Sequence, residues 1–229
     1  EDADRGARVI GEPTVYVKGG GPFLFVNCDI RSAGSIALLV SREGDATLRF
    51  CTLGGAAQRC YRLPVDKRHC ATEAASTLGK AWLVMRFCEF VDTYGPACNL
   101  AGYSHTLLES CYFQRAAIGI VFDHHCKAVV KACTFNDTYE AALWASPAEE
   151  TELEVELHYN AVHGHVWCDH KRPEKLLLRH NNFNETFPSQ WGRIVEAQPP
   201  LVHHRTALGT TWAEEIPDDL PNIATDFPF

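Results

Sequence analysis

Five short apolar runs in this chain end on a cysteine at the same point: "FLFVNCDI" at Cys28, "ATLRFCTL" at Cys51, "LVMRFCEF" at Cys88, "TLLESCYF" at Cys111 and "AVVKACTF" at Cys133. Two more, "VELHYNAV" and "LLLRHNNF", carry asparagine there, at Asn160 and Asn181. Successive anchors lie 23, 37, 23, 22, 27 and 21 residues apart, and an apolar side chain stands two places beyond each. A repeat of this length belongs to stacked architectures, in which each unit buries its apolar face against the next. Each unit also holds a second apolar run, as in "SIALLV", "IGIVFD", "AALWA" and "HVWCD", with "ACNLAG" a weaker case. Runs this short are strands rather than the paired helices of other repeat proteins.

Two or three short strands per repeat leave one economical geometry. The chain coils so that each strand pairs in parallel with its equivalent one unit later. The expected fold class is therefore all-β: a right-handed parallel β-helix, a pectate-lyase-like solenoid, of about eight rungs. Equivalent residues then stack, and the interior selects the same chemistry at every rung. Cys28, Cys51, Cys88, Cys111, Cys133, Asn160 and Asn181 are expected to form an inward structural ladder. Cysteine is small and readily buried, and asparagine can fill the same bend while bonding to backbone. Stacked equivalents point alike, which opposes disulfide pairing between rungs. The cysteines are read as reduced thiols, a reading that favours intracellular assembly.

The rhythm also divides the chain. Residues 1–20 read as a lead-in or cap, and 21–197 as the β-helix. The one long interval, 37 residues, marks a side-loop insertion at about 54–80. Residues 198–229, with prolines in "QPP", "EIPDD", "LPN" and "DFPF", read as a strapping tail, with Trp212, Phe227 and Phe229, and Trp191 just before it, either anchoring it or seated equally well in a neighbouring subunit. A net charge of −8 and the lack of a basic stripe argue against nucleic-acid binding. No apolar stretch is long enough to span a bilayer. The opening residues lack the form of a secretory signal, but a removed signal leaves no trace, and the two sequons at Asn136 and Asn184 would matter only in a secreted protein, such triplets often arising by chance.

The cadence "LLESCYFQRAAIGIVFD", "AVVKACTFNDT", "LLLRHNNF" resembles the adenovirus β-helix family, over roughly residues 20–195. That family joins the β-helical core of the large early-region oncoprotein of adenoviruses to the hexon-interlacing capsid protein of atadenoviruses. The resemblance implies a β-helix without known enzymatic activity. Its capsid member is a trimer on the virion surface, and its oncoprotein member is a nuclear and cytoplasmic adaptor for host proteins. The chain shows no counterpart of the oncoprotein's long disordered N-terminal region, which places the adaptor role second. No catalytic or partner-binding residue carries over.

Glycan-cleaving β-helices need clustered carboxylates on adjacent rungs. The acids near strand ends here, Asp29, Glu89, Asp92, Asp123, Asp137 and Asp169, read as isolated, and Asp218 and Asp219 lie in the tail. His124, His125, Cys126, His163, His165, Cys168 and His170, with His158 nearby, are zinc-type ligands on consecutive units. They lack the paired spacing of a zinc module, so they stand only as weak metal candidates beside the reading as outward turn residues. The sequence thus predicts a non-enzymatic scaffold without cofactor, a homotrimer on the virion surface or in the host nucleus or cytoplasm. Its expected partners are its own copies and other capsid or host proteins, with neither nucleic acid nor membrane. An adaptor for host regulatory proteins is the alternative, and a carbohydrate-active lyase or hydrolase the second alternative.

Overall fold

The computed structural model describes residues 12–56, 71–145, 153–168, 176–184, 193–196, 205–206 and 209–210. Along one wall runs an eight-stranded sheet: β2 (Phe23–Val26), β5 (Asp45–Arg49), β8 (Trp82–Arg86), β10 (His105–Glu109), β12 (Lys127–Lys131), β14 (Glu154–His158), β17 (Leu176–Arg179) and β19 (Arg193–Glu196). Every neighbour in it is parallel. A second, bent sheet holds β1 (Val15–Lys18), β3 (Asp29–Ser32), β4 (Ile36–Ser41), β6 (Thr52–Gly55), β7 (Glu73–Leu78) and β9 (Glu89–Leu100). It continues with β11 (Tyr112–Phe122), β13 (Thr134–Ala145), β15 (Ala161–Val162), β16 (Val166–Cys168) and β18 (Asn182–Phe183). The chain alternates between the sheets, one strand of the first followed by one long or two short strands of the second. This is the parallel β-helix expected, with about six full turns. The shortfall from eight lies at the ends, where the coils of β17 and β19 contribute to the first sheet without completing the circuit among the described residues. A separate two-stranded antiparallel hairpin joins β20 (Arg205–Thr206) and β21 (Gly209–Thr210).

Alternation along each strand decides what the core receives. In the first sheet Leu48, Met85, Leu108, Val130, Leu157 and Leu178 share one register position and all point inward and are buried. In the second, Ile30, Leu53, Phe90, Phe113, Phe135, Val162 and Phe183 form the column two places beyond the repeated cysteine or asparagine. Phe90, Phe113 and Phe135 stack face to face, with ring centroids 4.4 and 4.5 Å apart. That separation is close to the spacing of parallel strands, so the sheet itself sets the rings at stacking distance.

The side-loop expectation for 54–80 needs correction at both ends. Gly54 and Gly55 close β6, and 73–78 form β7, so both belong to the second sheet. The excess falls on residues 57–70, outside the described residues. Gly54, at φ +153°, is required by close approach: an added Cβ would stand 1.7 Å from the Val91 carbonyl oxygen of the next coil. The tail assigned to 198–229, including Trp212, Phe227 and Phe229, lies outside the described residues apart from the hairpin, as does Trp191.

Candidate functional site

The most repeated feature of the molecule is the corner between the two sheets. Just before the second sheet begins, every coil passes through one residue in the left-handed conformation: Asn27, Phe50, Phe87, Ser110, Ala132, Tyr159 and His180, all with φ of 52–55°. None is glycine, although each costs roughly 1–2 kcal/mol in this region for a residue with a Cβ. Part of the compensation is visible in the backbone. The N–H of each of these residues, His180 aside, donates to a carbonyl one coil on, as Ser110 does to Lys131 and Ala132 to His158.

The next residue is the repeated cysteine or asparagine, and its side chain solves the remaining problem of the corner. Asn160 Oδ1 accepts the N–H of Cys133 at 2.8 Å, and Asn160 Nδ2 donates to the Val130 carbonyl at 2.8 Å. Asn181 repeats both bonds one coil on, to the Asn160 N–H at 3.0 Å and the Leu157 carbonyl at 2.7 Å. Cysteine does the same with sulfur. Cys133 Sγ accepts the Cys111 N–H at 3.4 Å, and its single thiol hydrogen is shared between the Lys131 carbonyl of its own coil at 3.4 Å and the Leu108 carbonyl of the preceding coil at 3.6 Å. The thiols of Cys111 and Cys51 reach the Met85 and Phe25 carbonyls at 3.5 and 3.6 Å. At Cys133, Asn160 and Asn181 one small side chain with both a donor and an acceptor therefore reaches two backbone groups of the preceding coil. The repeat holds cysteine or asparagine because both have that pair of functions on a short stem.

The column also keeps the thiols of Cys51, Cys88, Cys111 and Cys133 away from solvent. Burial pushes the Cys51 and Cys111 thiols up, that of Cys111 far above the ordinary range, and the hydrogen bond with Cys111 followed by burial does the same to Cys88. Off the column, burial raises Cys98, and it raises Cys126 to about 12. The seven cysteines whose side chains are described, Cys168 not among them, are all free, and of these only Cys28, in the terminal coil, is not buried. Thiolate is the reactive form. Peptide mapping after brief alkylation of the native protein at neutral pH should therefore find Cys28 modified and Cys51, Cys88, Cys98, Cys111, Cys126 and Cys133 intact until denaturant is added. Rapid native labelling of Cys111 would mean the column is not packed as described.

The weak metal candidates are not brought together. His124, His125 and Cys126 lie in the turn before β12, whereas His163 and His165 flank the step from β15 to β16, on another edge of the coil. Cys126 is buried in the core, while the His124 ring sits 3.0 Å from Asp123 and the His125 ring stacks on Tyr103 at 4.5 Å. His163 and His165 are exposed, and their backbones bond to the neighbouring coil. Cys168 ends β16, and His170 lies outside the described residues. His158 is buried with Nε2 2.9 Å from Glu156 Oε2, a bond that holds the Glu156 carboxyl below its ordinary value. Among the described residues no three His, Cys, Asp or Glu side chains form a group that could hold a metal ion.

The acids singled out from the sequence are engaged one by one. Asp29 pairs with Arg31, and Glu89 accepts from Gln114. Asp92, only 2% exposed, takes two bonds from the Arg115 guanidinium at 2.7 and 3.0 Å. Asp92, Arg115 and Asp137 share a second left-handed bend, at φ 57°, 52° and 55°, midway along the second sheet. This ion-paired bend carries no signal in the period, since the anchoring residues change from coil to coil. Asp169 lies outside the described residues, as do Asp218 and Asp219.

Outside the core, a separate apolar cluster joins Ala117, Ile118, Val121 and Ala141, with Trp144 packed against it. It sits on the outer side of β11 and β13, and Trp167 of β16, 42% exposed, meets Trp144 edge to face at 6.0 Å. A family model described as "Right handed beta helix region" matches residues 13–187. No curated protein matches the chain.

Proposed function

Because the chain belongs to the right-handed β-helix family, we propose that it is a non-enzymatic scaffold that works by lateral assembly. The observation that carries this reading is the outer apolar cluster of β11 and β13 with Trp144 and Trp167. A single-walled sheet facing water alternates apolar inside with polar outside. Here both sides are apolar over adjacent coils: the outer column that runs through Tyr16, Leu39, Ser76 and Asn99 continues as Val121, Trp144 and Trp167. Aromatic side chains of this kind anchor protein interfaces. The individually paired acids and the buried thiols support a framework rather than a reaction centre.

The occupant of that face is a neighbouring copy, in a homotrimer whose solenoids lie side by side. With the resemblance to the adenovirus β-helix family, the finer reading is a protein that cements or decorates a virus capsid, assembled inside the host cell. Light scattering of the purified 25.5 kDa chain should give a trimer or a multiple of it. Trp167→Asp should reduce the mass threefold while leaving the β-sheet circular dichroism unchanged. A wild-type mass that is not a multiple of three chains, or a mass indifferent to Trp167→Asp, would remove the lateral trimer.

A further inference from the structure

The first coil ends in an open strand. Among the described residues β2 pairs only with β5 and forms the edge of the eight-stranded sheet. Its sequence is Phe-Leu-Phe-Val, without charge, proline or bulge. Phe23, Leu24 and Val26 are 46%, 64% and 46% exposed. Exposed edges are normally blunted by such charges, prolines or bulges, because an unpaired row of N–H and C=O groups recruits another strand. The opposite edge follows the rule: β19, Arg-Ile-Val-Glu, begins and ends on a charge.

We propose that β2 pairs with β2 of a second copy, joining two solenoids head to head. The free backbone groups identify the register. The Asn27 N–H and the Phe25 carbonyl face β5, the former donating to Arg49 and the latter accepting from the Cys51 thiol. By strand alternation the N–H and C=O of Leu24 and Val26 face the open edge. A two-fold axis through Phe25, normal to the sheet, makes the strands antiparallel and sets Leu24 opposite Val26 of the partner subunit. The N–H and C=O groups of Leu24 and Val26 are then all paired across the seam, the Val26 carbonyl, which already accepts the Cys28 thiol at 3.5 Å, through its second lone pair. The same axis keeps inner faces inside, so Phe25 meets the partner's Phe25 over the end of the core. The outward Leu24 covers Val26 of the partner subunit. A shift by one residue would place inward side chains against outward ones.

A second copy is the occupant because, among the described residues, the two end strands differ: β2 is uncharged, whereas β19 carries a charge at each end. Head-to-tail growth would need the charged β19 against β2 and would leave an open filament, whereas head-to-head pairing closes after two chains. The axis lies across the solenoid, so this pairing is compatible with a lateral trimer and independent of it.

The test is the solution mass of wild type, Val26→Pro and Leu24→Lys. Proline at 26 removes only an N–H that faces the open edge, so the ladder to β5 persists. Val26→Pro should halve the wild-type mass, whatever that mass is, and Leu24→Lys should weaken the association at least tenfold in a dilution series. Trp167→Asp alters the same mass by a factor of three, so failure of the lateral reading and failure of this one are distinguishable. An odd number of chains in the wild-type particle would overturn the pairing. So would a mass that neither folded variant changes.

Discussion

Cys111→Asp lowers the stability of the chain by about 3–5 kcal/mol at neutral pH, the usual cost of an uncompensated buried charge. Cys111→Asn changes it by less than about 1.5 kcal/mol, as volume-conserving interior swaps do. The Cys111 thiol lies between the Glu109 and Met85 carbonyls, at 3.4 and 3.5 Å, and the contact corresponding to Met85 one coil later joins Cys133 to Leu108. One coil beyond that, the Asn160 amide makes it to Val130. Asparagine at 111 can therefore make the bonds already seen at 160, whereas an aspartate turns a carboxylate oxygen toward a carbonyl oxygen. The pH dependence has a definite sign. Burial raises the folded-state pKa of the introduced carboxyl above its unfolded value, near 3.9 for aspartate. The deficit is then absent below the unfolded value and grows until pH passes the folded value. Urea unfolding of the three proteins at pH 7 and at pH 4 reads both effects. Equal losses for Asp and Asn at pH 7 would show that the position does not face the backbone of the preceding coil.

Phe113→Ala is expected to cost about 3–5 kcal/mol, the range for deleting a buried aromatic ring. Phe113 is fully buried and is the middle ring of three, 4.4 Å from Phe90 and 4.5 Å from Phe135. Its removal opens a cavity that rigid strands on either side cannot collapse, and two stacking contacts go with it. Phe113→Leu should cost well under half as much, because Leu53 already occupies the same column two coils earlier. Chemical denaturation gives both values. A loss below about 1.5 kcal/mol for alanine, the scale of a tolerated core swap, would contradict the stacked core.

The fold was legible because the repeat writes the same inward chemistry at each turn. The cysteine or asparagine two places before Ile30, Leu53, Phe90, Phe113, Phe135, Val162 and Phe183 was enough to give period, strand direction and core. The corner itself was less visible. Phe50, Phe87, Ala132 and Tyr159 hold positive φ, yet none is a residue whose local preference announces that conformation. Tertiary bonds to the next coil impose it, and only their shared place in the repeat could have revealed them. The second bend, at Asp92, Arg115 and Asp137, was hidden for another reason: it is held by an ion pair between coils, and the members differ in charge. Inner and outer apolar residues could not be separated in sequence either. In β11 both Ala116 and Ile118 are apolar, but the ladder slips between them, and the two join different clusters.

The histidines show the converse. His124, His125 and Cys126 are contiguous in sequence, yet a turn sends the thiol into the core and leaves the rings outside, each with its own neighbour. Adjacency in a coiled chain does not put three side chains on one surface.

Amide hydrogen exchange at the corners tests the central claim, that side chains of one coil complete the backbone of the coil before it. The Cys111, Cys133 and Asn160 amides donate to Cys133 Sγ, Asn160 Oδ1 and Asn181 Oδ1. They should exchange as slowly as the strand amides of β10 and β12, although they sit at turns. Exchange at the rate of exposed loop amides would contradict the stacked corner and the scaffold built on it.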